Sequence, residues 1–352
     1  MPIVLGIAGH SGAGKTTLIE ALLPRLATRG WRVGVLKHDA HRLDLDREGK
    51  DTARFFTAGA AAICAHDPTQ SFVRTRSSGP VALTDVLTDL PGDLDLVLVE
   101  GHKDAAMPKL VLAHAEPRAA IEGPEVLATL GWNADRLEAA EQLVVAFVDR
   151  AWRERPVGTA IFVGGKSRRM GLPKAMLDLS GRTLVEHVLA QLAPRGGPIV
   201  LVGEGPLPSA VRDQVQLLPD AADAEGPLAG LLALLRHDPV RAWLVVGCDQ
   251  PRLGLGHARW LVSGRRPGAW IVLPYLAGRS RPDPFGAVYE PMLRSVLERA
   301  RARRAWALHQ ALRGAPLAAV VPPEELAAGW ESVNTPEQWR ELTGESPRLR
   351  DR

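Results

Sequence analysis

Two consecutive α/β domains, each built on a mostly parallel sheet, are what this sequence predicts. Three observations carry that reading. Apolar strand-like runs alternate with helical patterns along both halves of the chain. Glycine-rich loops at 9–16 and 164–174 each follow an apolar run and lead into a helical pattern. Between the halves, residues 150–157 (Arg-Ala-Trp-Arg-Glu-Arg-Pro-Val) form a charged, proline-bearing joint. The expected units are 1–152 and 153–343, with a polar, basic tail over 344–352 expected to be disordered. At 352 residues the chain is long enough for two cores of ordinary size.

In the first unit, strands are predicted at 3–8, 31–37, 60–65, 94–99, 109–114 and 126–130. Helices are predicted at 16–28, 83–90 and 135–152, the first with Leu18, Leu22, Leu23 and Leu26 on its apolar side. Pro24 sits inside that helix, where a proline should kink or end it. In the second unit, strands are predicted at 158–163, 198–203, 243–247, 270–273, 285–289 and 317–321. Its helices are predicted at 184–192, 207–214, 228–236, 291–301 and 306–312.

Composition removes several function classes. Apolar content of 46% and charged content of 24% are ordinary for a globular protein. The longest near-continuous apolar stretch, 227–235, falls far short of the roughly 20 residues a membrane-spanning helix needs. Met1 leads straight into a strand pattern, so no signal peptide is expected. Cys64 and Cys248 have no metal-ligand spacing and read as free thiols of a reducing cytoplasm. A net charge of +3, without Lys/Arg runs interleaved with aromatics, gives little support to nucleic-acid binding. Trp243, Trp260, Trp270, Trp306 and Trp339 fall in predicted elements and read as packing rather than base-stacking platforms. His187 reads as an ordinary helix residue, and the cluster at 299–304 as a solvated basic face able to help hold an anion.

The segment Gly9-His10-Ser11-Gly12-Ala13-Gly14-Lys15-Thr16 fits the pattern G-x-x-x-x-G-K-S/T at every fixed position, between a predicted strand and a predicted helix. Gly9, Ser11, Gly12, Gly14 and Thr17 would then surround a phosphate with backbone N–H groups. Lys15 would reach its β/γ oxygens, and Thr16 would ligate Mg2+. Glu100, after an apolar strand, stands where an acid would polarise Mg2+ or a water. Residues 37–46 crowd His38 and His41 with Asp39, Asp44 and Asp46. They read as a polar switch loop sensing the γ-phosphate, or as a transition-metal delivery site. No N/T-K-x-D motif is present to name the base.

Together with Lys37-His38-Asp39-Ala40-His41, Gly49-Lys50-Asp51, Ala58-Gly59-Ala60 and Val99-Glu100-Gly101-His102-Lys103, this loop resembles the P-loop protein of molybdopterin-guanine dinucleotide biosynthesis (MobB). The resemblance covers about residues 1–150. It implies a P-loop NTPase-type sheet that binds GTP, hydrolyses it weakly if at all, and assists a partner enzyme. A homodimer through this domain is compatible with it.

In the second unit, Gly164-Gly165-Lys166-Ser167-Arg168-Arg169-Met170-Gly171 and Lys174 make a basic loop in which phosphate can approach the backbone. Asp220 follows a short strand, Gly226-Pro227-Leu228-Ala229-Gly230 opens a helix, and Asp249 ends a buried strand. In open α/β sheets, ligands bind outside the carboxyl ends of strands, where all of these fall.

These residues, with Cys248-Asp249 and Val333-Asn334-Thr335-Pro336, resemble the molybdenum cofactor guanylyltransferases (MobA), within the Rossmann-like nucleotidyltransferases, over about 158–342. The resemblance implies that Gly164, Gly165 and Gly226 lie against the nucleotide and that Lys174 contacts phosphate. It places Asp220 with the guanine nucleotide, Asp249 on Mg2+, and Asn334 near the pterin of molybdopterin or Mo-molybdopterin. The implied reaction is attack of the acceptor's phosphate on the α-phosphorus of GTP, aided by Lys174, by Arg168 or Arg169, and by Mg2+ on Asp249. Molybdoenzymes or cofactor-insertion proteins would receive the product.

Two positions depart from the family pattern. Pro173 stands where an Asp usually precedes the phosphate Lys, as it does in sugar-phosphate nucleotidyltransferases, and Ser332 stands where Asn is common. Two other readings therefore remain: a transferase of the same fold using CTP or a sugar phosphate, and a P-loop carrier or metallochaperone relying on His38 and His41.

Overall fold

The computed structural model describes residues 2–38, 50–77, 79–165, 167, 169–276 and 283–350. The first half contains β1 (Ile3–Gly9), α1 (Lys15–Thr28), β2 (Val33–Lys37), α2 (Asp51–Thr57), β3 (Ala62–His66), β4 (Ser71–Thr75), α3 (Leu83–Asp89), β5 (Leu96–Glu100), β6 (Lys109–Leu112), β7 (Val126–Leu130) and α4 (Arg136–Glu154). Its sheet has the order β2-β5-β1-β6-β7, and every pairing is parallel. All five residues of β5 are buried, which is why that run reads as continuously apolar until Glu100.

The second half continues with β8 (Val157–Phe162), β9 (Asp178–Leu179), β10 (Arg182–Thr183), α5 (Leu184–Leu192), β11 (Ile199–Val202), α6 (Ser209–Gln214), β12 (Gln216–Leu218), α7 (Gly226–His237) and β13 (Ala242–Gly247). It ends with α8 (Leu255–Ser263), β14 (Ile271–Pro274), β15 (Ala287–Tyr289), α9 (Leu293–Ala302), α10 (Leu308–Ala311), β16 (Leu317–Val320), α11 (Glu324–Ala327) and α12 (Pro336–Thr343). Seven strands pair in the order β12-β11-β8-β13-β15-β14-β16, and β15 alone among them runs antiparallel to its neighbours. The chain leaves β8 toward β11 and β12, then returns to β13 on the other side. That reversal opens a crevice at the carboxyl ends of β8, β11 and β13.

Two expectations are corrected and one is narrowed: of the kink or end expected at Pro24, the end does not occur, and α1 runs on to Thr28. Pro24 and Glu20, whose carbonyl loses its helical partner, both face solvent, where water can satisfy it. The strand expected at 60–65 is not part of the main sheet; β3 pairs antiparallel with β4 in a separate hairpin. Its turn is held by Asp67, which accepts bonds from Thr69 and Gln70. Residues 344–350, expected to be disordered, lie against β9. Asp178 N donates to the Arg348 carbonyl, and the Arg348 and Arg350 guanidinium groups pair with Asp178 and Glu186.

The two sheets share one apolar core, in which Trp31, Leu96 and Trp152 join the same cluster as Trp243, Trp270 and Leu297. α4 extends to Glu154, so the expected boundary at 152/153 falls in its last turn. Across the seam Trp270 Nε1 donates to Asp95 Oδ1 at 2.8 Å, while Arg32 N donates to Asp95 Oδ2 at 2.7 Å. Glu290, fully buried, takes both Arg265 and Arg155. Burying three charges is tolerable because each carboxylate oxygen has a guanidinium donor.

Candidate functional site

The second-half site is assembled from strand ends. Gly164 and Gly165 follow β8, and the loop then turns at Ser167 (φ 40) and Gly171 (φ 77) to deliver Lys174 on a single 3-10 turn. Lys174 Nζ donates to Asp249 Oδ2 at 2.8 Å and to Asn334 Oδ1 at 2.7 Å. Arg169 adds a second donor to Asn334 Oδ1 at 3.1 Å. An ammonium carries three N–H groups, so Lys174 keeps one for a ligand. Asn334 reaches this point because Val333 N donates to the Asp249 carbonyl at 2.8 Å. Thr335 then caps α12 with a capping box, fixing the turn from its other side.

These groups stand at one side of a cavity of about 510 Å³ lined by residues from β8, β11 and β13 and their loops. Its lining includes Gly164, Gly165, Ser167, Lys174, Asp220, Gly226, Cys248 and Asp249. The glycine loop is pressed onto the turn after β11. A Cβ on Gly203, whose φ is +99, would come within 2.9 Å of Gly164 N and Cα. Asp220 follows β12, on the far side of β8 from Asp249, and burial, aided by the nearby charge of Glu204, raises its carboxyl above the ordinary range. Burial, reinforced by Asp249, pushes the Cys248 thiol up to about 12, which removes it as a nucleophile near neutral pH. His187 hydrogen-bonds the Pro251 carbonyl and Gln191, as a helix residue with satisfied partners.

The first-half loop is a separate site. Gly12 and Gly14 have φ of 80 and 79, so each needs the freedom of glycine to curl the loop into α1. Ser11, Thr16 and Thr17 are exposed along this turn. Lys15 Nζ donates to the carbonyls of Gly9 and His10 at 3.1 and 3.0 Å. Thr16 Oγ1 donates to Glu100 Oε1 at 2.8 Å, joining the two Mg2+-site candidates directly. His38 stacks on His102 with ring centroids 3.9 Å apart, and burial and then the His38 charge lower the His102 pKa.

Lys174, Asp249, Asn334 and Arg169, each singled out from the sequence, meet at one place in the structure. Arg168 lies outside the described residues, as do His41, Asp39, Asp44 and Asp46. Among the described residues no group of three His, Cys, Asp or Glu side chains is placed to hold a metal. Two residues went unnoticed. Arg136 donates to the carbonyls of Ala13, Ala113 and Gly131, bracing the first loop from 123 residues away with no local signature. Glu204 lines the large cavity, and its signal was available as an acid one residue past the expected strand at 198–203.

Comparison with known proteins gives matches in both halves. Residues 4–131 match the family model of Molybdopterin guanine dinucleotide synthesis protein B, and residues 159–317 match the MobA-like NTP transferase domain. The molybdenum cofactor guanylyltransferase of Rhizobium meliloti is 30% identical over 210 residues, covering 54% of this chain and 93% of that protein. A probable molybdenum cofactor guanylyltransferase of Deinococcus radiodurans is 32% identical over 193 residues, covering 54% and 95%. The molybdopterin-guanine dinucleotide biosynthesis adapter protein of Haemophilus influenzae is 41% identical over 114 residues, covering 32% of this chain. This chain spans 64% of that adapter's length.

Proposed function

This chain belongs to the molybdenum cofactor guanylyltransferase family, and we propose that its second half transfers GMP from GTP to molybdopterin, while its first half is a GTP-binding accessory domain. The observation that carries the proposal is the Lys174–Asp249–Asn334 cluster, with Arg169, beside a 510 Å³ cavity that the bare glycine loop also lines. Glycines let the triphosphate approach the backbone, and the cations neutralise it where charge moves.

The acceptor is a phosphate monoester, already ionised near neutral pH, so no strong general base is needed. One of its oxygens attacks the α-phosphorus in line. The new P–O bond forms as the α–β bond breaks, and pyrophosphate carries the bonding electrons away. Lys174 orients the phosphates with its remaining N–H, and Arg169 offers a second cation at the same place. Asp249 is the carboxylate available to Mg2+, a metal that takes one or two carboxylates together with substrate phosphates. When bound, that ion supplies further charge neutralisation. In the first half, the Thr16 hydroxyl paired with Glu100 is the corresponding Mg2+ donor set. Fusion of the two halves keeps them at an effective concentration of about millimolar.

Pro173 keeps a second reading in view, a transferase using CTP or a sugar-phosphate acceptor. Pyrophosphate release from each nucleoside triphosphate, with Mg2+ and with or without molybdopterin, separates the two. Release that requires both GTP and molybdopterin is expected; release with CTP, or with a sugar phosphate as acceptor, supports the second reading instead.

A further inference from the structure

We infer that Glu204 reads the base: its carboxylate accepts the N1–H and 2-amino hydrogens of guanine and so sets the choice of nucleotide. This rests on the reading of the large cavity as the GTP site. Glu204 and Asp220 both line that cavity, following β11 and β12 on the far side of β8 from Asp249. With the phosphates held at the Lys174 side, the base falls toward the two acids.

Among the described residues those acids have no cation to balance them. Neither makes an ion pair or hydrogen bond among the described residues, and Glu204 is close enough to disfavour ionisation of Asp220. Two facing acceptors without donors call for a ligand edge that brings donors. Guanine presents two adjacent donors on its N1 and 2-amino groups, which match the two oxygens of one carboxylate. Adenine and cytosine present a bare ring nitrogen at the corresponding place, which a carboxylate repels.

Glu204 is better placed than Asp220 for this contact. Asp220 Oδ1 faces α7, 3.0 Å from where a Cβ on Gly230 would sit, and forms the back wall. Glu204 is exposed on the turn after β11, with a longer side chain free to close over the base edge. Its backbone is located by the Gly203–Gly164 contact, since a Cβ on Gly164 would lie 3.5 Å from Glu204 N. The residue that reads the base is thereby tied to the loop that holds the phosphates.

The test compares GTP with ITP, which differ only in the 2-amino group. The full-length protein is assayed for molybdopterin-dependent pyrophosphate release, and kcat/KM is measured for each nucleotide in wild type, Glu204→Gln and Glu204→Ala. Wild type is expected to prefer GTP over ITP by about tenfold or more, the loss of one hydrogen bond to a charged group, since ITP keeps the N1–H. Both variants should bring that ratio close to one, and a folding defect would lower both values together without moving it. A ratio unchanged in both variants, with GTP still used, overturns the role of Glu204 and leaves the site assignment standing. Absence of any nucleotide-dependent release by wild type overturns the site assignment and this inference with it.

Discussion

The two candidate phosphate-binding regions of this molecule are built in opposite ways. The first is mostly local: residues 9–17 supply the loop, the lysine and the hydroxyl, while Glu100 and the bracing Arg136 come from elsewhere. The second is dispersed. Lys174 meets Asp249 across 75 residues and Asn334 across 160, and each pair exists only because the sheet and the turn before α12 bring them together. A contiguous loop can hold a phosphate alone, whereas a dispersed site can surround two substrates at once. That difference is consistent with placing the chemistry in the second half and assistance in the first.

The sharpest way to break this contrast is at Asp249. Asp249→Asn removes the carboxylate proposed for Mg2+ and the anionic partner of Lys174, and turnover should fall by about 10²–10³. Circular dichroism should show the fold intact, and near-wild-type turnover would rule out the metal role. Asn334→Ala comes next. It frees Lys174 and Arg169 from their shared acceptor, and kcat should drop by roughly 10–10². Lys15→Ala, by contrast, should abolish the first half's share of GTP binding in equilibrium dialysis and reduce transfer far less.

The seam gives smaller effects, read in stability. Asp95→Ala leaves the buried Trp270 N–H and the Arg32 N–H without their acceptor, at a cost of about 1–3 kcal/mol in denaturant unfolding. Burial raises the Asp95 carboxyl above its ordinary 3.8, against the hydrogen bonds from Arg32 and Trp270 that lower it. The folded chain therefore holds that proton more tightly than the unfolded one. The resulting stabilisation is complete below 3.8 and is lost as pH rises through the raised value. Asp95→Ala should flatten that part of the stability profile just above the ordinary carboxylate range.

The same contrast explains what could be read from the residues alone. Both α/β sheets were legible because fully buried parallel strands such as β5 and β13 are continuously apolar. The first loop was legible because its candidate residues are contiguous in sequence. In the second site Lys174, Asp220 and Asp249 could be placed at strand ends, but the convergence of Lys174 and Arg169 on Asn334 depends on a backbone bond from Val333 to Asp249. No local pattern encodes that bond. Likewise β3 and β4 carry an ordinary strand composition, yet their hydrogen-bonding edges face each other instead of the sheet. The tail at 344–350 is polar, and its order comes from Asp178 and Glu186, distant acids that composition cannot reveal.

The division of labour between the halves is tested most directly by the rate of molybdopterin-dependent pyrophosphate release from GTP, measured side by side for full-length Asp249→Asn and Lys15→Ala. Asp249→Asn is expected to lose nearly all turnover while Lys15→Ala retains most of it. The reverse order would place the chemistry in the first half and contradict that division.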